Sequence, residues 1–219
     1  MKKEQKDKKL TVTSGKLKDI DAQLEKLNIR GSVTIPHDVN VKVISSHGSS
    51  SFHSKVVADL LKNAGSCVIK GNVEIAEIEN MGNLHITNGK AQKIVSSGSV
   101  TIDQILQTDQ MKCNGVVFAK ELFAKQFHIK LSANSHINKL IAKEIIVERD
   151  RKTIPLVKKK KLVSEFIKGE NINLSHAEID VVEGNIVEIG KSCKINTLYY
   201  KESYKISPKS QVLHIKKKG

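Results

Sequence analysis

The pentapeptide GSVTI occurs twice in this chain of 219 residues, at residues 31–35 and again at residues 98–102. Further glycines divide the interval between the two copies. The series, at spacings of 16 or 17 residues, runs through Gly15, Gly31, Gly48, Gly65, Gly82, Gly98 and Gly115, and Ser132 continues it. A fixed spacing marks a repeat architecture, and one near 17 residues is too short for helical-pair repeats, which need about 33 to 47 residues. The sequence therefore predicts a coil of short strands.

Apolar residues fall in fixed columns when each repeat is numbered from its glycine as position 0. Positions 2 and 4 are each apolar in six repeats of eight, with mostly polar residues at position 3 between them. This alternation is typical of a strand with one buried face. Two further columns are predicted, with Val39, Val56, Val73, Leu106, Phe123 and Leu140 at position 8, and Ile44, Leu61, Ile78, Val95, Met111 and Ile145 at position 13. Three inward strips predict a triangular parallel β-helix, whose turns pair about 4.8 Å apart.

The composition and the reactive residues favour a non-enzymatic protein. The chain is 39% hydrophobic but only 4% aromatic, and its polar N-terminus, MKKEQKDKKL, is unlike a signal peptide, so we expect a cytoplasmic protein. The cysteine spacings fit neither a disulfide framework nor a zinc site. Cys67 and Cys193 are predicted to point inward, whereas Cys113, near a corner, is predicted to be the most accessible.

Histidines and carboxylates do not form a repeated cluster. None of the histidines His37, His47, His53, His85, His128 and His136 shares a column with another, and no acidic pair has equal positions in consecutive turns. Calcium-dependent lyase chemistry would need such a cluster of ligands. We therefore expect no catalytic residue, metal, cofactor or small-molecule substrate.

The repeat breaks after Val147. Residues 148–165, ERDRKTIPLVKKKKLVSE, lack the glycine spacing and predict a loop or hairpin excursion. The winding resumes at residue 166, and Ile172, Ile189 and Ile206 again lie 17 residues apart. The predicted division is a basic flexible tail at 1–14, β-helix turns at 15–147, the excursion at 148–165, C-terminal turns at 166–213 and a basic tail at 214–219, with about 10 to 11 turns in all.

From residue 15 to residue 213 the chain resembles the bactofilins, the polymer-forming cytoskeletal proteins of bacteria. The resemblance rests on the glycine-led turns and on residues 171–200, NINLSHAEIDVVEGNIVEIGKSCKINTLYY, which are similar to the C-terminal pattern of a Firmicute branch. The family's second glycine pattern is blurred at Ser132 and at residues 184–190. The resemblance implies a right-handed triangular β-helix whose copies assemble end to end into nucleotide-independent, non-polar filaments, often at the inner membrane.

The two ends of the predicted coil are the candidate polymerisation interface. The first and last turns of a solenoid leave a backbone edge unpaired and a slice of core uncovered, and the sequence offers no convincing cap. The candidates are Leu17, Ile20, Leu24, Leu27 and Ile29 at the N-terminal end, and Leu198, Tyr199, Tyr200, Tyr204, Ile206, Val212 and Leu213 at the other. We therefore expect a self-assembling scaffold.

Most of the surplus positive charge lies in three short segments. The net charge is +14, and residues 1–10, 149–161 and 216–218 contribute +3, +6 and +3 of it. Such runs are either solubilising tails or a contact with an anionic membrane surface or with client proteins. The candidates for that contact are Lys2, Lys3, Arg149, Arg151, Lys152, Lys158, Lys159, Lys160 and Lys161. The runs contain no stacking aromatics, so we expect no specific nucleic-acid site.

Two alternatives to a polymer remain at this stage. The first is a non-polymerising β-helix adaptor that binds a partner protein along one flank, with an architecture similar to the small β-helix of septum-site inhibitors. The second is an acyltransferase of the hexapeptide-repeat type, whose strict six-residue period is missing here.

Overall fold

The computed structural model describes residues 8–18, 20–21, 23–150 and 160–219. Of these residues 79% lie in strands and none in a helix. The strands are β1 (Lys9–Lys16), β2 (Lys26–Ile35), β3 (Val39–Ser46), β4 (Ser49–Phe52), β5 (Val56–Asn63), β6 (Ser66–Asn80), β7 (Asn83–Ser96), β8 (Ser99–Cys113), β9 (Val116–Leu131), β10 (Ser135–Arg149), β11 (Leu162–Leu174), β12 (Ala177–Ile189), β13 (Lys194–Ile206) and β14 (Gln211–Lys217). They form a right-handed parallel β-helix of about 12 turns, which confirms the predicted fold class with slightly more turns than expected.

Each turn has three faces, and every face pairs in parallel with the same face of the next turn. The first face contains segments such as β4, which lies between β2 and β6. The second face contains residues such as 56–58, and the third contains residues such as 60–63. We call the bend between the third and first faces the glycine corner, because Gly31 and Gly48 lie there with their counterparts in later turns. Long strands such as β6 bend around the corners and serve all three faces.

Stacked glycines hold the backbones of successive turns together at the glycine corner. A β-carbon placed on Gly48, Gly65 or Gly82 would overlap the carbonyl oxygen of the glycine one turn earlier. This close approach explains why glycine heads the repeat from Gly31 onward. Gly15 was wrongly placed in the series, since it pairs with Val33 and has a φ of +93°.

The inward columns at positions 2 and 4 are confirmed through the middle of the coil. Val33, Ile69, Ile86 and Val100, for example, are at most 2% exposed. Two assignments in the other columns are wrong. In each of these two turns the chain is one residue shorter between the first and second faces, so counting from the glycine leads one residue too far. Ile94 rather than Val95 pairs with Ile78 and Met111, and Leu122 rather than Phe123 pairs with Leu106. A shift of one residue turns a side chain to the opposite face of a strand, so Val95 is 39% exposed.

The later turns have a different length from the predicted one. After Ser132 the corner is wider, so Ser135 and Ile137 lie inward while Asn134 and His136 are exposed. Ile172 pairs with Val187, whereas Ile189 pairs with Leu174 and Ile206. Ile172 and Ile189 therefore belong to different columns, and their spacing of 17 residues does not mark one turn.

The coil is longer at both ends, and its interruption is shorter, than predicted. β1 begins at Lys9, inside the predicted N-terminal tail, and β14 continues to Lys217, inside the predicted C-terminal tail. β10 continues to Arg149 and β11 begins at Leu162. The excursion therefore falls within residues 150–161, of which 151–159 lie outside the described residues.

A buried ladder of polar side chains lines the glycine corner, and the apolar pattern gave no sign of it. Asn63 Nδ2 donates to Asn80 Oδ1 at 2.8 Å, and Asn80 Nδ2 donates to Ser96 Oγ at 2.9 Å. Each amide also donates to the carbonyl of the glycine two residues later, at 3.2 Å for Gly65 and 3.1 Å for Gly82. Buried polar groups need such partners, so the ladder stabilises the corner without an apolar side chain.

The core columns can be tested with a matched pair of substitutions. Ile86→Asp or Ile69→Asp would place an unpaired carboxylate among apolar neighbours on both adjacent turns, and we expect a loss of about 3 kcal/mol or more of unfolding free energy. Thr101 faces outward next to Ile102, which pairs with Ile86 one turn earlier, and Thr101→Asp should change the unfolding free energy by less than about 1 kcal/mol. Urea unfolding followed by circular dichroism measures both effects. Equal midpoints for inward and outward variants would contradict the column assignment.

Candidate self-association surfaces

The two ends of the β-helix each present an open sheet edge in the described part of the chain. The sheet runs from β1 to β14, and each of these two strands has a partner strand on one side only. Interior turns have their backbone groups paired above and below. A row of unpaired N–H and C=O groups is a template for another strand.

The uncovered slice of apolar core at the N-terminal end of the coil, which we call the N-terminal slice, lies one turn earlier than the sequence predicted. Leu10 and Val12 of β1 lie directly over Leu27 and Ile29, which are both 0% exposed. Leu27 and Ile29 are therefore interior residues, and their assignment to the interface is wrong. The residues of the terminal slice, all partly buried against the core, are Leu10, Val12, Leu17, Ile20 and Leu24. The alternation in KLTVT at residues 9–13 is the signal that could have identified Leu10 and Val12.

The C-terminal slice exposes more apolar surface. β14 covers Leu198, which is 0% exposed and pairs with Ile215, so Leu198 also is wrongly assigned to the interface. Tyr204 is 43% exposed and Ile215 is 41% exposed, and Ile206 and Val212 are partly buried beside the core. Ile215 is a residue of this slice that the sequence analysis missed.

The remaining C-terminal candidates lie around the edge of this slice. The rings of Tyr200 and Tyr204 have centroids 4.6 Å apart. The Tyr199 ring lies under the ammonium groups of Lys216 and Lys218, at 5.8 and 5.7 Å from its centroid. Leu213 is 59% exposed. The predicted tyrosines therefore do gather at this end, with Tyr199 held by lysines of the last turn.

The last turn lacks its third face in the described chain. β14 pairs with residues 194–200 of β13 and ends at Lys217, so residues 203–206 have a partner only on the side of β12. The first turn, in contrast, begins with a third-face segment, residues 9–12, which pairs with residues 26–29. The described part of the coil thus begins with the face that its last turn lacks.

Ion pairs between adjacent turns cover much of the flanks. Lys55 and Glu74 lie 2.8 Å apart, and so do Lys62 and Glu79. Glu183 accepts from both Lys168 and Lys218 at 2.8 Å, and these hydrogen bonds hold the pKa of its carboxyl below the usual range. Exposed pairs contribute little individually, but they join the same flank of adjacent turns.

The predicted basic contact is only partly described by the structure. Arg149 is exposed, while Lys161 bonds to the carboxylate of Glu178. Lys160 is 3% exposed, so its assignment to a surface contact is wrong. The residues of that set outside the described part of the chain are Lys2, Lys3, Arg151, Lys152, Lys158 and Lys159.

Among the described residues, no three histidine, cysteine or acidic side chains lie close enough to bind a metal ion. Nor do these residues include a helix long and apolar enough to cross a membrane. His85 bonds to Asp103 at 2.7 Å and His128 to Glu148 at 2.8 Å, and both pairs lie on the outside of the coil.

All three cysteines are buried, so the predicted accessibility of Cys113 is wrong. It occupies the same inward column as Ser96 and is 1% exposed. Burial raises the pKa of the Cys67 thiol to about 11 and that of the Cys113 thiol to about 12. Burial also raises the pKa of Cys193. Cys67 and Cys193 point inward as predicted.

We predict that none of the three thiols reacts in the native protein. At pH 8 a thiol with a pKa near 11 is about 0.1% thiolate, and burial blocks the reagent as well. Ellman's reagent should therefore label the native protein at a negligible rate and label three thiols after addition of guanidinium. Thr101→Cys supplies a positive control, with one thiol that reacts rapidly. Fast labelling of native Cys113 would contradict the inward column.

The chain is 35% identical, over 78 residues, to YhbF, an uncharacterized protein of Bacillus subtilis (strain 168). The match covers 36% of this chain and 33% of the relative, so the chain spans about a third of the length of that protein. No protein-family model matches the chain, and no solved structure matches it.

Proposed function

We propose that the protein is a bacterial cytoskeletal scaffold of the bactofilin type that assembles end to end into filaments without a nucleotide. The observation that carries the proposal is the pair of open ends, each of which combines an unpaired strand edge with a slice of apolar core. A second copy placed on either end would pair the backbone edge and cover the apolar slice together. The flanks carry ion pairs between adjacent turns and present no unpaired strand edge of this kind.

The proposed work of this scaffold is mechanical and positional rather than chemical. A rod of paired backbone is stiff along its axis, and filaments built from it would provide a platform for client proteins. The proposed location is the cytoplasm, at the inner face of the cell membrane, and no cofactor is invoked.

Two arrangements of the copies are possible, and different observations support them. The resemblance to bactofilins implies that like ends meet, which makes each contact two-fold and the filament non-polar. The missing third face of the last turn supports the second arrangement. In that arrangement unlike ends meet: residues 9–12 of one copy would pair with residues 203–206 of the next, and the winding would continue without interruption.

A flank groove supports the adaptor as an alternative function. It has a volume of about 600 Å³ and runs across several turns between the second and third faces, with Ala76, Ala91 and Ala124 along its floor. Small side chains there leave a concave surface of the kind that a partner's extended segment could occupy. An adaptor of this kind would remain a monomer or a dimer in solution.

A charge at one end distinguishes these possibilities. Ile215→Lys at the C-terminal end and Leu10→Lys at the N-terminal end would each bury a cation in the proposed contact, which is unfavourable by several kcal/mol. If like ends meet, each variant should form dimers through its intact end. If unlike ends meet, each variant should be monomeric, because every contact then needs both ends. Sedimentation velocity measures the size.

Ile105→Lys is the matched control, since Ile105 is also exposed, at 42%, but lies in the middle of the coil. It should assemble as the unmodified protein does. Filaments that persist in both end variants would rule out end-to-end assembly. An unmodified chain that stays monomeric at high concentration would favour the adaptor.

A further inference from the structure

Another cavity lies at the corner between the second and third faces, nearer the C-terminal end than the flank groove, and we call it the C-terminal cavity. It has a volume of about 290 Å³ and meets the flank groove at Ala124. Ile141, Ala142, Gly169 and Gly184 form an apolar part of its wall. The charged side chains around it are Lys143, Lys168, Lys201, Lys218, Glu170 and Glu183.

The winding brings these charged side chains together from β10 through β13 and from the residue that follows β14. Lys168 of β11 pairs with Glu183 of β12. Lys201 lies in β13, directly after Tyr200, and the backbone N–H of Lys218 donates to Tyr200 O at 2.7 Å. Residues far apart in sequence therefore surround one cavity, and they meet only across successive turns.

The C-terminal cavity carries a surplus of positive charge. Glu183 accepts hydrogen bonds from both Lys168 and Lys218, and because these bonds hold the pKa of its carboxyl below the usual range, Glu183 is ionised at neutral pH. One carboxylate therefore balances only one of these two ammonium groups. Lys143 and Lys201 are exposed and have no ion pair within the described chain.

The flank groove next to this cavity differs from it in charge. The wall of the groove has equal numbers of acidic and basic side chains, namely Glu74, Asp109, Lys90 and Lys125. The C-terminal cavity has four lysines and only two glutamates. A positive potential is therefore concentrated in the C-terminal cavity, where it attracts anions.

We propose that the C-terminal cavity binds a small organic anion that combines an acid group with a single ring or a short chain. The acid group contacts the lysines, whose ammonium groups bind phosphate or carboxylate oxygens as point charges, and the apolar part packs on Ile141 and Ala142. The volume of about 290 Å³ is at the lower end of the range of ligand sites, which starts near about 300 Å³. It therefore suits one ring and not the two acyl chains of a phospholipid. The surplus of positive charge favours a dianion such as a phosphomonoester.

This binding is independent of the proposed end-to-end assembly, because the cavity opens on a flank of the coil and the ends lie across its axis. A single copy can bind the anion, and a filament would carry one such site in every copy. Binding and assembly can therefore be measured separately on the same samples.

The test uses the full chain and 1-naphthyl phosphate, whose fluorescence anisotropy measures its binding. The chain has no tryptophan, so the naphthyl emission is free of indole background. We expect saturable binding at one site per chain. 1-Naphthol, which lacks the charge, and inorganic phosphate, which lacks the ring, should each compete at least about tenfold more weakly, because each makes only one of the two kinds of contact.

Matched variants locate the binding site. Lys143→Gln together with Lys201→Gln should weaken the binding of 1-naphthyl phosphate about tenfold. The control, Lys70→Gln with Lys120→Gln, removes the same charge from two exposed lysines between the first and second faces and should weaken binding less than about twofold. Glu170→Gln removes a carboxylate that repels the anion and should strengthen binding about twofold. Circular dichroism should show unchanged folding in every variant.

The absence of saturable binding, equal losses in the two double variants, weaker binding by Glu170→Gln, or equally tight binding of inorganic phosphate would each overturn the proposal. A chain that binds 1-naphthyl phosphate but stays monomeric at high concentration in sedimentation velocity would contradict the proposed assembly and leave the anion site standing.

Discussion

Parallel backbone pairing between consecutive turns is the constraint on which the rest of the structure depends. Each strand must find a partner one turn earlier and one turn later, so every turn must repeat the path of its neighbours closely. The stacked glycines from Gly31 to Gly115 show how tight that repetition is, because no β-carbon fits between them. The same pairing that satisfies the interior leaves β1 and β14 with one open edge each, and the proposed function follows from those edges.

The sequence predicted the fold and the inward columns because a repeating backbone imposes a repeating pattern of side chains. It failed where a turn changes length, since an alternating pattern of period two looks equally regular after a shift of one residue. Val95 and Phe123 were misplaced for that reason. The polar ladder through Asn63 and Asn80 was missed because an apolar pattern carries no information on hydrogen-bonded buried amides. Cys113, which lies in the same column, was misjudged because its place near a corner suggested an exposed position.

The sequence located the two ends of the coil, but it identified only some of the residues that lie there. The ends of a solenoid follow from its topology, so both were located from the repeat alone. Charge in the first ten residues hid the short strand at Lys9–Lys16, and Leu27 and Ile29 were therefore taken for terminal residues. Lys160 was misplaced because it belongs to a run of lysines and yet is buried.

Electron microscopy of the unmodified, purified chain tests the central claim most directly. About 12 turns at about 4.8 Å each give a rod about 58 Å long. The account predicts unbranched filaments, formed without nucleotide, that are one rod wide. Their axial repeat should be about 58 Å if unlike ends meet and about 115 Å if like ends meet. Isolated rods about 58 Å long at every concentration would contradict it.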